Sequence, residues 1–111
     1  MIKAITKMAV QANKTAEFEK LAAELVYHSI RDAGNEYYSC NKSENQPNTY
    51  CFIEFWRDMD AFQTSMDTEY FTRLFPQLVN LTEEEPVIEL YTELAWTTKR
   101  PKQPTTVPAK M

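Results

Sequence analysis

Residues 49–56, TYCFIEFW, are apolar on both faces of any strand they form, with a single charged exception. Side chains alternate across a strand, so Tyr50, Phe52, Glu54 and Trp56 share one face and Cys51, Ile53 and Phe55 the other. A sheet with helices on one side and water on the other shows one polar face. This strand has none, so it has to be covered twice. Helices of the same chain can cover one face. A second copy's sheet is the simplest cover for the other, since a large apolar patch would otherwise stay exposed. The expectation is a homodimer packed sheet to sheet.

The rest of the chain supplies the covering helices. Residues 2–10 alternate loosely as a strand. Residues 14–33 carry an amphipathic helix, with Phe18, Leu21, Ala22, Leu25 and Ser29 or Ile30 on one stripe. Asn13 is placed to cap its start, and Gly34, the only glycine in the chain, to end it in the left-handed conformation. NEYYSCNKS (35–43) reads as a strand, ENQPN (44–48) as a hairpin loop and 49–56 as the return strand. Asp58 and Asp67 are candidate caps for helices near 59–66 and 68–80, the second interrupted or kinked by Pro76. Residues 87–96 close as a strand. The order β-α-β-β-α-β is the ferredoxin-like α+β arrangement, here one domain over 1–96 with a flexible Pro/Lys-rich tail over 97–111.

Charge and cysteine content exclude several classes. Lys99, Arg100, Lys102 and Lys110 all lie in the tail, leaving eight basic against sixteen acidic residues in the body. An acidic body is not a phosphate-binding surface, so nucleic acid is not expected as a partner. No run of about 18 apolar residues is available to cross a membrane, and MIKAITKMAV is too short and polar for a signal peptide. The expected location is cytoplasmic. Two cysteines and one histidine are too few for a structural zinc or His-rich metal site. A hairpin symmetric about residues 45 and 46 places Cys40 opposite Cys51 as reduced neighbours.

An ordered set of residues resembles the antibiotic biosynthesis monooxygenase (ABM) domain family over roughly 2–95. Its carriers are Asp32, Gly34 and Tyr38, then Pro47, then Phe52, Glu54, Trp56, Asp58 and Ala61, with Phe71 and the closing VIELY. The resemblance implies a ferredoxin-like domain that pairs into a dimeric α+β barrel. Members of such a family include oxygenases that act on aromatic polyketides or quinols without metal or flavin, haem-degrading enzymes, a sugar-phosphate isomerase branch and proteins of no assigned activity. Histidines that many members carry after the Glu-x-Trp motif would fall on Ser65 and Tyr70, neither of which replaces an imidazole base. The Asn, Trp and His of the haem-degrading branch would fall on Lys7, Ser65 and Phe75, and Phe75 cannot ligate iron. Haem degradation is therefore not expected, and the isomerase reading loses its histidine.

Two readings of function follow. The first is a cofactor-independent monooxygenase for a small phenol or quinol, in which the protein supplies a dry pocket, a base and hydrogen-bond donors. Tyr38, Tyr50, Phe52, Trp56, Ser65 and Tyr70 would line the pocket, with no metal and no cofactor. The candidate bases are His28, at the border of the helix's apolar face, and Glu54, whose burial would raise its pKa. A structural role for Glu54, paired with Arg57, Arg73 or a residue across the dimer, is the simpler alternative. The second reading is a non-catalytic dimeric binding or stress-response module. An acid facing an internal cavity of about 300 Å³ or more favours the enzyme, and a filled interior favours the module.

Overall fold

The computed structural model describes residues 1–95, so the expected tail lies outside the described residues. Strands β1 (Ile2–Ala9), β2 (Asn35–Lys42), β3 (Thr49–Trp56) and β4 (Val87–Thr92) form one antiparallel sheet in the order β2-β3-β1-β4. Helices α1 (Thr15–Ser29), α2 (Met59–Met66) and α3 (Glu69–Val79) complete the ferredoxin-like order, the second helical position being split in two. No described helix is long and apolar enough to cross a membrane.

The two faces of β3 divide as its alternation requires. Tyr50, Phe52, Glu54 and Trp56 are buried with Phe18, Ala22 and Leu25 of α1, Phe62 of α2, and Leu74 and Leu78 of α3. Burying each of the large apolar side chains contributes about 1.5–3 kcal/mol. Cys51, Ile53 and Phe55 are only half-buried. Across the sheet they pair with Lys7, Ile5 and Lys3 of β1. None of the described helices covers the aliphatic and aromatic part of that open face.

Several local expectations need correction. The first helix ends at Ser29, and its cap positions carry no side-chain hydrogen bond at Lys14, so Asn13 is not the cap. Gly34 is not left-handed, since the only positive φ in the described chain is at Asn48 (57°). Its requirement is steric: a Cβ built there would lie 2.4 Å from Ala61 Cβ. Glycine thus lets the turn before β2 approach α2. Asp58 does cap α2, accepting from the Ala61 amide at 2.8 Å. Thr68, not Asp67, caps α3, accepting from the Phe71 amide at 3.3 Å. Pro76 lies inside α3 without ending it.

The hairpin register is shifted by one residue from a loop centred on 45 and 46. Cys40 faces Phe52, and Cys51 faces Asn41. Asn48, in the left-handed region, makes the loop an odd-numbered 44–48, and the Ser43 amide bonds to the Thr49 carbonyl at 2.9 Å. A one-residue slip moves a side chain to the opposite face. Cys40 therefore lies on the helix side and Cys51 on the open side, and they are not opposed neighbours.

Candidate functional site

Strand β3 carries Phe52, Glu54 and Trp56 to a chamber between the sheet and the helices. Thr6 of β1, Tyr38 of β2, Ser29 of α1, Ser65 of α2 and Tyr70 of α3 also line it. Glu54 and Trp56, two residues apart on one strand, point the same way, and the Trp56 indole N–H donates to Glu54 Oε1 at 2.8 Å. Glu54 is 8% exposed. Burial pushes its pKa up to about 7, against the Trp56 and Tyr38 hydrogen bonds that favour its charge. Arg57 and Arg73 are not its partners: they pair with Asp58, and with Glu24 and Glu69.

Tyr38 stands edge-on to Trp56 (centroids 6.3 Å apart, 84°). Burial, and next the charge of Glu54, hold its hydroxyl well above the ordinary tyrosine range. Tyr70 donates to Asp32 Oδ2; burial first, then this carboxylate, push its hydroxyl up to about 12. Ser65 donates to its own helix at the Phe62 carbonyl, 2.6 Å away.

The structure brings together Tyr38, Phe52, Glu54, Trp56, Ser65 and Tyr70, and leaves two sequence-predicted residues outside. Tyr50 lines a separate open groove of about 560 Å³ between α1 and β2, where its hydroxyl donates to Glu19 at 2.5 Å. His28 stacks on the outer face of the Tyr70 ring (5.1 Å, 21°), with Nε2 3.9 Å from Glu24 Oε2. It is half-exposed and one ring removed from the chamber. Of the three positions compared with haem-degrading proteins, Lys7 is exposed on a strand position facing away from the chamber, where Thr6 points inward.

Sequence reasoning missed Thr6, Ser29, Met66, Phe71, Phe75 and Ile88 as lining residues. Phe71 and Phe75 form a stacked pair (4.8 Å, 13°), and their i, i+4 spacing reads equally as core. Between these side chains only about 10 Å³ is open, the room of a single water, whereas a benzene-sized ligand needs on the order of 150 Å³. The buried acid is thus present, but the interior is nearly filled. Among the described residues no group of three or more His, Cys, Asp and Glu side chains is placed to hold a metal ion.

The family model described as "Antibiotic biosynthesis monooxygenase" matches residues 1–77. YcnE of Bacillus subtilis (strain 168), a monooxygenase by name, is 32% identical over 62 residues, which are 56% of this chain and 65% of that protein. The chain thus spans just under two thirds of the length of this relative. A conserved protein from Methanosarcina mazei Go1 superposes with a TM-score of 0.82 at 22% identity, covering 84% of this chain and 92% of the other. A variant of SnoaB, a cofactor-independent oxygenase from Streptomyces nogalater, superposes with a TM-score of 0.78 at 21% identity, covering 88% and 97%. These two likenesses establish the fold.

Proposed function

The chain belongs to the antibiotic biosynthesis monooxygenase family, and from that premise we propose that it is a cofactor-independent monooxygenase for a small phenol or quinol, working in the chamber around Glu54. The observation that carries this reading is a buried carboxyl with a pKa of about 7, held beside an indole N–H. A group poised there serves as a general base near neutral pH.

The chemistry balances with dioxygen as the oxidant. Glu54 takes the phenolic proton, and the phenolate passes electrons to dioxygen. A new carbon–oxygen bond forms at a ring C–H position, and the peroxide oxygen takes the proton back from Glu54, restoring the carboxylate. Loss of water from the resulting hydroperoxide leaves the quinone, so phenol plus dioxygen gives quinone plus water. The Tyr38 hydroxyl offers a donor to the oxygen that carries developing charge, and the aromatic walls exclude water. A ring enters by displacing Met66 and the Phe71–Phe75 pair, which are only half-buried. Tyr50 and His28 have no direct part in this arrangement.

The half-buried Ile5, Ile53 and Phe55 and the exposed Tyr37, Val87 and Tyr91 support a homodimer formed through the open face. The nearly filled chamber favours a second reading, a dimeric module without catalysis. Oxygen-electrode screening against phenols and quinols, with and without added haem or flavin, separates the two. Uptake without additives supports the enzyme, and no uptake with any member supports the module.

A further inference from the structure

The helical wall of the chamber includes Met66, Tyr70, Phe71 and Phe75, which are only partly buried. Tyr70 and Arg73 tie this wall to α1 and the turn that follows it. The Tyr70 hydroxyl donates to Asp32 Oδ2 in that turn, and His28 stacks on the Tyr70 ring, 5.1 Å between centroids. Arg73 Nη1 lies 3.1 Å from Glu24 Oε2, with both side chains 42% exposed. An exposed ion pair contributes little, whereas a part-buried hydrogen bond to a carboxylate is among the strong ones. The Tyr70–Asp32 contact is therefore the principal polar tie on the first turn of α3.

The two ends of α3 are held unequally. Its C-terminal end is fixed: Leu78 and Leu81 are buried, the Gln11 amide donates to the Leu81 carbonyl at 2.9 Å, and the Glu83 amide donates to the Ala9 carbonyl at 2.8 Å. Pro76 lies just before that anchored end. Having no N–H, it leaves the Thr72 carbonyl without its usual partner one turn later, and such a break in the ladder is where a helix bends. Trp56 and Ser65, which line the chamber, also line an outer cleft of about 230 Å³ bordered by Asp32 and Thr68. From these placements we propose that residues 69–75 of α3 are a lid over the Glu54 chamber, hinged at Pro76 and latched by Tyr70 to Asp32. Release of the latch swings Phe71 and Phe75 outward and joins the chamber to the cleft, admitting a ring that the closed chamber cannot hold. Leu74, 1% exposed in the closed state, draws the segment back. The lid deepens the reading of the chamber as the working site, but its test needs no substrate.

The test is acrylamide quenching of Trp56 fluorescence in the full chain carrying Trp96→Phe, which leaves Trp56 as the only indole. Trp56 is 1% exposed, so the quencher reaches it when the lid opens. Tyr70→Phe keeps the ring and removes the latch. It is expected to raise the quenching constant at least about tenfold, the effect of losing a hydrogen bond to a charged group. The rise should be the same in low urea, because a local opening exposes little surface and global unfolding exposes much. Arg73→Ala should change the constant less than about threefold, and Pro76→Ala added to Tyr70→Phe should reduce the rise. Should Tyr70→Phe fail to fold, Asp32→Ala removes the latch from the other side, with the same rise expected. A folded latch variant quenched no more than its parent overturns the lid, as does a rise that grows with urea. No oxygen uptake from a protein whose latch variant opens would overturn the oxygenase reading and leave the lid standing. Uptake with unchanged quenching would do the reverse.

Discussion

Trp56 donates its indole N–H to the carboxyl of Glu54 across one intervening residue, at 2.8 Å, with both side chains buried. The Glu-x-Trp spacing is therefore a local device. Period-two alternation puts both side chains on one face, and the indole partly offsets the cost of burying a charge.

That burial has a consequence for stability. The Glu54 pKa is raised from 4.5 to about 7 in the fold, so the folded protein holds a proton that the unfolded chain releases. Stability from this group is full below about pH 4.5 and is lost as pH rises through about 7. The loss amounts to about 3 kcal/mol. Denaturant unfolding at pH 5 and pH 8 should show the decline, and Glu54→Gln, which keeps an acceptor for Trp56, should flatten it.

Gly34 should not tolerate even alanine. The added Cβ would meet Ala61 Cβ at 2.4 Å, and overpacking of this kind costs about 1–3 kcal/mol. That exceeds the about 0.4–1 kcal/mol usually gained when alanine replaces a glycine of compatible backbone. Gly34→Ala should lower the unfolding midpoint, and adding Ala61→Gly should recover part of the loss. Simple additivity in that double-mutant cycle would show that the two residues do not compete for space.

A dimer through the open face should depend on its centre. Sedimentation at micromolar concentration should give two copies, and Phe55→Glu should give monomers without unfolding the inner core, because Phe55 faces away from it. A parent protein that sediments as a monomer would remove the sheet-to-sheet reading.

The elements were legible because alternation, a 3.6-residue stripe and turn residues agree in most of this chain. Strand β3 follows from its pattern to the residue. What was not legible depends on contacts distant in sequence. A lone glycine after a helix reads as a left-handed terminator, and only the approach of α2 shows that Gly34 is needed for clearance. The hairpin register turned on the conformation of Asn48, and that single residue decided which face each cysteine takes. Ser29 was visible as a hydroxyl on an apolar stripe, a signal that could have marked it. At the site, the sequence offered Arg57, Arg73 or a residue across the dimer as the partner of Glu54, whereas the structure gives Trp56, two residues away. The polar residues gathered around it come from five further elements, which no local pattern links.

His28 and Glu54 are the two bases that the sequence offers, and their placement separates them. His28 lies outside the chamber against Tyr70, so His28→Ala should change turnover less than about twofold, whereas loss of a general base typically costs about 10²–10⁴-fold. A kinetic comparison on the substrate found by screening checks this, and a larger loss for His28→Ala would place the base outside the chamber.

The most direct measurement is the initial rate of oxygen uptake by folded Glu54→Gln against the unaltered protein at pH 8, where the carboxylate form predominates. A base in the chamber predicts a rate at least about tenfold lower in the variant, with the unaltered protein gaining activity as pH rises through about 7. Equal rates from a folded variant would contradict the assignment of Glu54 as the base.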